Sequence, residues 1–301
     1  MRISTLAWSA AVLTAFLTVL LSGTAAAFDV RDDDGNLLAM AGPAQRIISL
    51  SPGATAMLFA AGAGERVVGT SEFSNEPEAA KRIERVSDAQ SVNLERILAL
   101  HPDVVVVWVS GNPPQQIDRL QQAGLRLYRL HMARMDDLAG SLQRLGALTG
   151  TDAIAEAAAD RFRARVTALR GRNRQRHDVR VLIEIWDKPI YTVGRDEMIT
   201  DVIHACGFQS AYEDLKQVSA PITLESALAR NPDVVLALAA DEHTAQQWAD
   251  EWQRFGSLKA RREGHVLGWS DARLTGFGPS VIDAAEDLCS MLNSALPARP
   301  D

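Results

Sequence analysis

The sequence predicts an α/β protein with two Rossmann-like lobes joined by one long rigid helix. Strand patterns alternate with helical patterns in residues 46–130 and again in residues 180–296, and this alternation is typical of parallel β-α-β units. Residues 151–176, between the two halves, show helical spacing without a strand pattern. A short helix-and-strand unit also occurs once in each half, which indicates two lobes of related design.

Residues 1–27 are expected to be a secretory signal peptide that directs export of the chain and is then removed. Arg2 supplies a positive charge, and an apolar stretch follows from Leu6 to Leu21. Small residues before Phe28 provide a cleavage site. A single membrane anchor is the alternative, but the apolar stretch is shorter than the roughly 20 residues of a spanning helix.

The first lobe is predicted to span residues 28–150. Its strands are short apolar runs bounded by turn residues, and its helices end at Gly or Pro. The run DVVVVW is apolar throughout, which is typical of a strand buried on both faces of a sheet. The expected strands are 46–52, 66–71, 103–108 and 125–130, and the expected helices are 54–64, 93–102 and 115–124.

The connecting helix is predicted to occupy residues 151–177. The segment is rich in Ala and Arg, and its apolar residues recur at helical spacing. About 20 residues in one helix would span roughly 30 Å. A flexible linker would instead be rich in Gly and Ser or in Pro, so we expect a rigid bridge between the lobes.

The second lobe is predicted to span residues 178–301, where the alternation of strands and helices resumes. The closing helix has apolar positions at helical spacing. The expected strands are 180–186, 233–239 and 265–269, and the expected helices are 198–207, 223–232 and 280–296.

Cys206 and Cys289 are the two cysteines of the chain. An exported protein meets an oxidising compartment, where a pair of cysteines usually forms a disulfide. Both cysteines fall in predicted helices of the second lobe, so we expect a bond between an early helix and the last one. Two buried free thiols are the alternative.

A repeated unit places one glutamate in each lobe. NLERILALHPDVVVVW begins at Asn93, and TLESALARNPDVVLA begins at Thr223. Asn and Thr are good N-cap residues, which puts Glu95 and Glu225 at about the second helical position, near the positive end of the helix dipole. Either the acids only stabilise two helix starts, or they meet two equivalent basic sites on a symmetric partner.

The composition excludes several classes of function. The chain has 38 acidic and 31 basic residues, which argues against nucleic acid as a partner. The six histidines show no His-Glu-x-x-His spacing, so we expect no metal site. An exported hydrolase would need a nucleophile beside a base, and the sequence shows no such pair. We therefore expect neither an enzyme nor a bound cofactor.

Four segments resemble the periplasmic binding proteins of cobalamin and ferric-siderophore ABC importers, and the resemblance covers nearly the whole mature chain. The segments are RIISLSPGATAMLFAAGAGERVVGTSEFSNEPEAAKRIERVS, NLERILALHPDVVVVWVSGN, PIYTVG and SDARLTGFGPSVIDAAEDLC. The resemblance implies a monomer with a ligand cleft between the lobes. It also implies that Glu95 and Glu225 dock on arginines of a dimeric membrane permease with its ATPase, and that Cys206 pairs with Cys289.

The resemblance implies cobalamin or a related corrinoid as the transported ligand, with a ferric siderophore or haem as the alternative. A corrin ring has flat apolar faces and a rim of amides, which suits aromatic walls with a few polar anchors. We expect cleft residues at the carboxyl ends of the parallel strands. The candidates are Ser51, Pro52, Phe73, Trp108, Trp186, Tyr191, Trp269, Asp271 and Arg273.

By resemblance, Phe73 stands at an aromatic contact, Trp108 at a cleft tryptophan and Asp271 at a polar contact to the ring's side chains. Two positions depart from the cobalamin-binding members. Tryptophans are expected near Ala89 and near Ala220, and both residues are alanine here. Either the cleft is wider or Trp186 compensates, which leaves open another corrinoid or a chelated metal.

Overall fold

The structure is a computed structural model of the chain. It describes residues 28–88, 91–173 and 178–296. The predicted signal peptide (1–27), Ala89 and residues 174–177 of the predicted connecting segment lie outside these ranges. Within the described ranges, no helix combines the length and the apolar character needed to cross a membrane.

The first lobe is a five-stranded parallel sheet preceded by an antiparallel hairpin. The hairpin and sheet strands are β1 (Phe28–Arg31), β2 (Leu37–Met40), β3 (Ile47–Ser49), β4 (Val67–Ser71), β5 (Arg85–Ser87), β6 (Val104–Trp108) and β7 (Leu127–Leu130). The sheet order is β5-β4-β3-β6-β7. The helices are α1 (Pro52–Ala60), α2 (Leu94–Ala99), α3 (Pro114–Gln122) and α4 (Met135–Thr149).

Strand β6 explains why its sequence is apolar without interruption. Val104 and Val106 belong to one hydrophobic core, whereas Val105 and Val107 belong to another. Alternate side chains of a strand point to opposite faces of the sheet, and all four valines are buried. The sheet therefore has a core on each face, as the run of valines predicts.

The connecting helix α5 runs from Asp152 to Arg172 and contains 21 residues. It packs along α4, a helix that was not predicted from the sequence. Gly150, with a positive φ of 65°, ends α4 and lets the chain turn back. The close packing requires Gly146, because a Cβ at this residue would overlap the Cβ of Ala155.

The second lobe is a four-stranded parallel sheet in the order β11-β8-β13-β14, with a three-stranded antiparallel sheet in the order β12-β10-β9. The strands are β8 (Arg180–Glu184), β9 (Trp186–Asp187), β10 (Ile190–Val193), β11 (Gln209–Ser210), β12 (Ser219–Pro221), β13 (Val234–Leu238) and β14 (Val266–Trp269). The helices are α6 (Met198–Ala205), α7 (Leu224–Arg230), α8 (Glu242–Trp252), α9 (Lys259–Glu263), α10 (Ala272–Thr275) and α11 (Val281–Ala295).

The prediction of one strand over residues 180–186 is wrong. The parallel strand β8 ends at Glu184, and the chain then enters the antiparallel sheet at Trp186. The backbone N–H of Ile185 donates to the carbonyl of Tyr191 at 2.9 Å, so the chain has already changed partners at this residue. Trp186 is therefore a residue of the smaller sheet. The general prediction of two α/β lobes joined by a long helix is confirmed.

The disulfide between Cys206 and Cys289 is present, with Cα atoms 4.9 Å apart. Cys206 follows the last residue of α6, and Cys289 lies in α11. The prediction that an early helix of the second lobe is tied to the last one is confirmed, and the alternative of two free thiols is wrong.

The repeated unit has a structural role that the sequence did not reveal. Asp103 accepts hydrogen bonds from the backbone N–H groups of Gln45 and Arg46, at 2.7 and 2.8 Å. Asp233, its counterpart in the second lobe, accepts one from the backbone of Arg180 at 2.8 Å. In each lobe the Pro-Asp pair thus fixes the start of a central strand, β3 or β8.

Candidate functional site

The predicted ligand residues fall at the carboxyl edges of the two parallel sheets. Phe73 follows β4 and Trp108 ends β6 in the first lobe. Trp186 follows β8 and Trp269 ends β14 in the second lobe. Ligands of α/β proteins bind outside this edge of the sheet, and these side chains are arranged accordingly.

Ser51 and Pro52 form the start of α1. The Ser51 hydroxyl is buried and accepts a hydrogen bond from the backbone N–H of Ala54 at 3.1 Å, so it caps the helix. Gly53, in the first turn, lies against the second lobe. A Cβ at this residue would overlap the carbonyl oxygen of Gly276. The two lobes therefore touch at this turn, and Gly53, which belongs to the turn that the sequence singles out, makes the contact.

Trp108 lies where the lobes meet. Its ring centroid is 5.1 Å from that of Phe277, at an interplanar angle of 51°. Its backbone N–H donates to Asn112 Oδ1 at 2.8 Å, and Gly111 leaves the space that the indole ring occupies. Its indole Nε1 is buried and has no hydrogen-bond partner among the described residues. Buried N–H groups are normally paired, so this donor is available to an acceptor brought by a ligand.

Phe73 projects from a rigid turn. Its side chain is 67% exposed, and its φ of 61° lies in the left-handed region that non-glycine residues rarely adopt. The turn is held by Ser74, whose buried hydroxyl lies 3.0 Å from that of Ser71 and 3.1 Å from that of Thr55. Backbone strain of this kind concentrates at functional positions, and the aromatic contact at Phe73 stays a prediction.

Trp186 is the exposed aromatic residue of the second lobe, with 57% of its surface accessible. It faces Trp248 of α8 edge to face, with ring centroids 6.2 Å apart and an interplanar angle of 62°. Tyr191 lies directly across the strand pair from Trp186, and Pro221 lies across from Tyr191. Sequence reasoning missed Trp248 because α8 itself was not predicted.

Asp271 and Arg273 engage each other. Asp271 accepts from the backbone N–H of Arg273 at 2.8 Å as the N-cap of α10, and from its Nε at 3.0 Å. Partial burial acts to raise the pKa of Asp271, but the hydrogen bonds and charge of Arg273 outweigh it and hold the pKa below its usual value. Arg273 also pairs with Asp287 at 2.6 Å. Trp269 is half-buried beside them and packs against the main core.

Two buried glutamates in the second lobe were not predicted. Glu184, the last residue of β8, accepts a hydrogen bond from Trp252 Nε1 at 2.8 Å. Burial raises the pKa of Glu184 to about 7, against the opposing effect of this hydrogen bond. Burial likewise raises the pKa of Glu197, the N-cap of α6, to about 7. The raised pKa of each glutamate depends on burial by distant segments, so no local sequence pattern predicts it.

Glu95 and Glu225 occupy equivalent places in the two lobes. Their helices begin after Asn93 and Thr223, whose side chains accept from backbone N–H groups at 3.0 and 3.1 Å. The prediction of two N-caps is confirmed. Both glutamates are exposed, and neither has an ion pair or hydrogen bond with another residue that the structure describes. Each lobe thus exposes one carboxylate, unpaired within the described ranges, to solvent at the start of a helix.

The described ranges hold no group of three or more His, Cys, Asp or Glu residues that could enclose a metal ion. The polar groups at the two sheet edges are hydroxyl, carboxylate and guanidinium groups, most of which bond to one another. Exposed aromatic side chains, Phe73 and Trp186, lie at these edges, and aromatic surface suits the binding of a flat organic molecule.

Comparison with known proteins gives consistent results. Residues 47–272 match a protein family described as "Periplasmic binding protein". The chain is 31% identical over 260 residues to the vitamin B12-binding protein of Vibrio cholerae serotype O1, covering 86% of this chain and 93% of that protein.

Solved structures agree in fold. The periplasmic vitamin B12-binding protein BtuF of Vibrio cholerae superposes with a TM-score of 0.76 and 30% identity, over 85% of this chain and 99% of that one. The periplasmic heme-binding protein RhuT of Roseiflexus sp. RS-1 has a TM-score of 0.70 and 25% identity, over 84% of this chain and 99% of that one. With both the family match and this identity over most of its length, the chain belongs to the periplasmic binding protein family.

Proposed function

We propose that this protein is the solute-binding component of an ABC importer and that it captures cobalamin or a related corrinoid between its two lobes. The observation that carries the proposal is the pair Phe73 and Trp186. Among the described residues these are the only aromatic side chains in the set of large exposed hydrophobic ones. One belongs to each lobe, and each follows the end of a parallel strand.

The chemistry of a corrinoid fits these walls. Aromatic side chains gain contact area and favourable geometry against a flat ring. Trp108 and Trp269 would extend the apolar surface at the two sheet edges, while Ser51, Pro52, Tyr191, Asp271 and Arg273 would border it. The 31% identity to a vitamin B12-binding protein supports this ligand.

Delivery of the ligand to the membrane would depend on charged residues rather than on aromatic surface. Glu95 and Glu225 would pair with arginines on a dimeric permease, which its ATPase drives. The chain would work in the periplasm as a monomer, after removal of residues 1–27. It would bind and release its ligand without chemical change, and it would need no cofactor.

Haem is the second candidate, and the similarity to a periplasmic heme-binding protein favours it. Calorimetric and absorption titrations of the protein purified from a bacterial periplasm would decide between them. We expect cyanocobalamin to bind at submicromolar concentration, and haem and ferric hydroxamates to bind at least about tenfold more weakly. Tighter binding of haem or of a hydroxamate would overturn the corrinoid assignment.

The same titrations test the aromatic walls. Phe73→Ala and Trp186→Ala should each weaken cyanocobalamin binding, since each removes stacking area from one lobe. Leu37→Ala, which changes a similarly exposed apolar residue in the β1–β2 hairpin, should leave affinity unchanged. Unaltered affinity in both aromatic variants would place the ligand elsewhere on the molecule.

A further inference from the structure

A polar groove lies beside Phe73 at the carboxyl edge of the first-lobe sheet. Its volume is about 430 Å³. It lies where β4 and β5 end, and the backbone N–H of Glu72 donates to the carbonyl of Ser87 there at 2.7 Å. Its polar lining residues are Glu72, Arg85, Ser87, Asp88, Ser91 and Asn93. The side-chain oxygen of Asn93 is already engaged as the N-cap of α2.

Arg85 contributes little free positive charge to the groove. Its guanidinium donates to the carbonyl of Ser74 at 2.9 Å and to Asn75 Oδ1 at 3.1 Å. Its other terminal nitrogen donates to Thr70 Oγ1 and to the carbonyl of Ala80. These bonds direct the guanidinium to the turn after β4, so a ligand would find its donors already occupied.

The groove therefore offers a carboxylate and a hydroxyl. Glu72 is exposed, and no ion pair joins it to another described residue. Asp88, in contrast, accepts from the backbone N–H and the hydroxyl of Ser91, at 2.7 and 3.0 Å. The hydroxyl oxygen of Ser87 is buried and makes no hydrogen bond within the described ranges. A buried hydroxyl without a partner is costly, so a ligand that supplied an acceptor would be stabilised.

We infer that this groove is a subsite for a neutral primary amide on the rim of the transported ligand, and that Glu72 determines specificity there. The inference rests on the proposed function. The amide N–H group donates to the Glu72 carboxylate, and the amide oxygen accepts from the Ser87 hydroxyl. A carboxylate in the same place has no N–H group and is repelled by Glu72.

The subsite separates two classes of flat ring. A corrinoid carries amides on its rim, whereas a haem carries carboxylates. Glu72 favours the first class through a hydrogen bond and disfavours the second through charge repulsion, and shape contributes little because the two groups are nearly the same size. The aromatic walls hold the ring face in either case, and the groove identifies what the rim carries.

The test compares cobinamide with the same ring after hydrolysis of its rim amides to carboxylates, by calorimetry at pH 7.5. Wild type should prefer the amide form by at least about tenfold. Glu72→Gln should reduce this preference by about fivefold or more, because it removes the charge and keeps the size. Ser87→Ala should weaken cobinamide several-fold.

Glu65→Gln is the matched control, because Glu65 is an exposed acid that precedes β4 at the opposite edge of the same sheet. It should leave the preference unchanged. An identical preference in wild type and Glu72→Gln overturns the subsite and leaves the proposed function standing. Failure of wild type to bind either form of the ring overturns the proposed function and the subsite together. Glu72→Ser provides a second variant, and thermal unfolding shows whether each variant is folded.

Discussion

The carboxylate of Asp201 in α6 accepts a hydrogen bond from the backbone N–H of Met135, the first residue of α4, at 3.0 Å. Asp201 belongs to the second lobe and α4 to the first, so a side chain of one lobe satisfies a helix end of the other. Arg170, near the end of the connecting helix, contacts the same carboxylate at 3.3 Å. One buried acid thus links all three parts of the fold.

Asp201→Ala should lower the free energy of unfolding by about 3 kcal/mol, because it leaves the buried N–H of Met135 without its acceptor and removes the more buried of the two carboxylates that pair with Arg170. Urea unfolding measures this change. Asp136→Ala is the control, since Asp136 pairs with the same Arg170 at 2.8 Å but is 64% exposed. It should cost less than about 1 kcal/mol. Equal losses in the two variants would contradict the role assigned to Asp201.

Glu184 should make the protein less stable as the pH rises towards neutrality. Its pKa is about 7 in the folded chain, against an ordinary value of 4.5. Between these values the folded state keeps a proton that the unfolded state has released, so the free energy of unfolding falls as the pH rises. Below pH 4.5 both states are protonated and the contribution is constant. Glu197 acts in the same direction.

Glu184→Gln tests this dependence, because glutamine keeps the acceptor for Trp252 and cannot ionise. The variant should equal wild type near pH 4.5 and exceed its stability by up to roughly 3 kcal/mol at pH 8. Urea unfolding at four pH values gives both curves. Glu251→Gln, at an exposed acid paired with Arg254, should follow wild type throughout. If the free energies of unfolding of Glu184→Gln and wild type changed in parallel with pH, Glu184 would not be the source of the pH dependence.

The sequence predicts best what is encoded locally. The valines of β6 and the N-caps Asn93 and Thr223 follow from residue types and spacing, and both predictions are confirmed. The disulfide between Cys206 and Cys289 joins residues 83 positions apart, and it was predictable because an exported chain with two cysteines offers one pairing. Helix α4 was missed because glycines weaken a helical pattern. In the structure, Gly146 lies in the helix interior, where it allows close packing on α5.

What the sequence does not predict depends on contacts between distant segments. Phe277 lies against Trp108 because the lobes meet there, and no spacing along the chain indicates this. Trp248 of helix α8 packs against Trp186 of strand β9. Glu184 is buried and accepts a hydrogen bond from Trp252 of α8. Each of these residues is defined by a partner more than fifty positions away.

Trp108→Ala should weaken ligand binding by more than about 1 kcal/mol, because it removes aromatic area at the junction of the lobes. Trp108→Phe keeps an aromatic ring beside Phe277 and should recover much of the affinity. Calorimetry with cyanocobalamin measures both, and thermal unfolding reports the accompanying loss of packing. An unchanged affinity in Trp108→Ala would exclude this tryptophan from the ligand site.

The paired glutamates give the sharpest test of the transport proposal. Glu95→Ala combined with Glu225→Ala should leave ligand affinity nearly unchanged, since both acids are exposed and unpaired within the described chain. Stability should fall by only about 0.3–1 kcal/mol at each helix start. Uptake into vesicles that contain the permease should fall sharply, because two charge pairs are lost at once, and desolvated pairs at an interface are worth several kcal/mol. Each single variant should retain part of the transport, because the other lobe stays attached. Glu78→Ala, at an exposed acid that already pairs with Lys81, should transport like wild type. If the double variant does so too, the two acids serve only their own helices, and docking must use another surface.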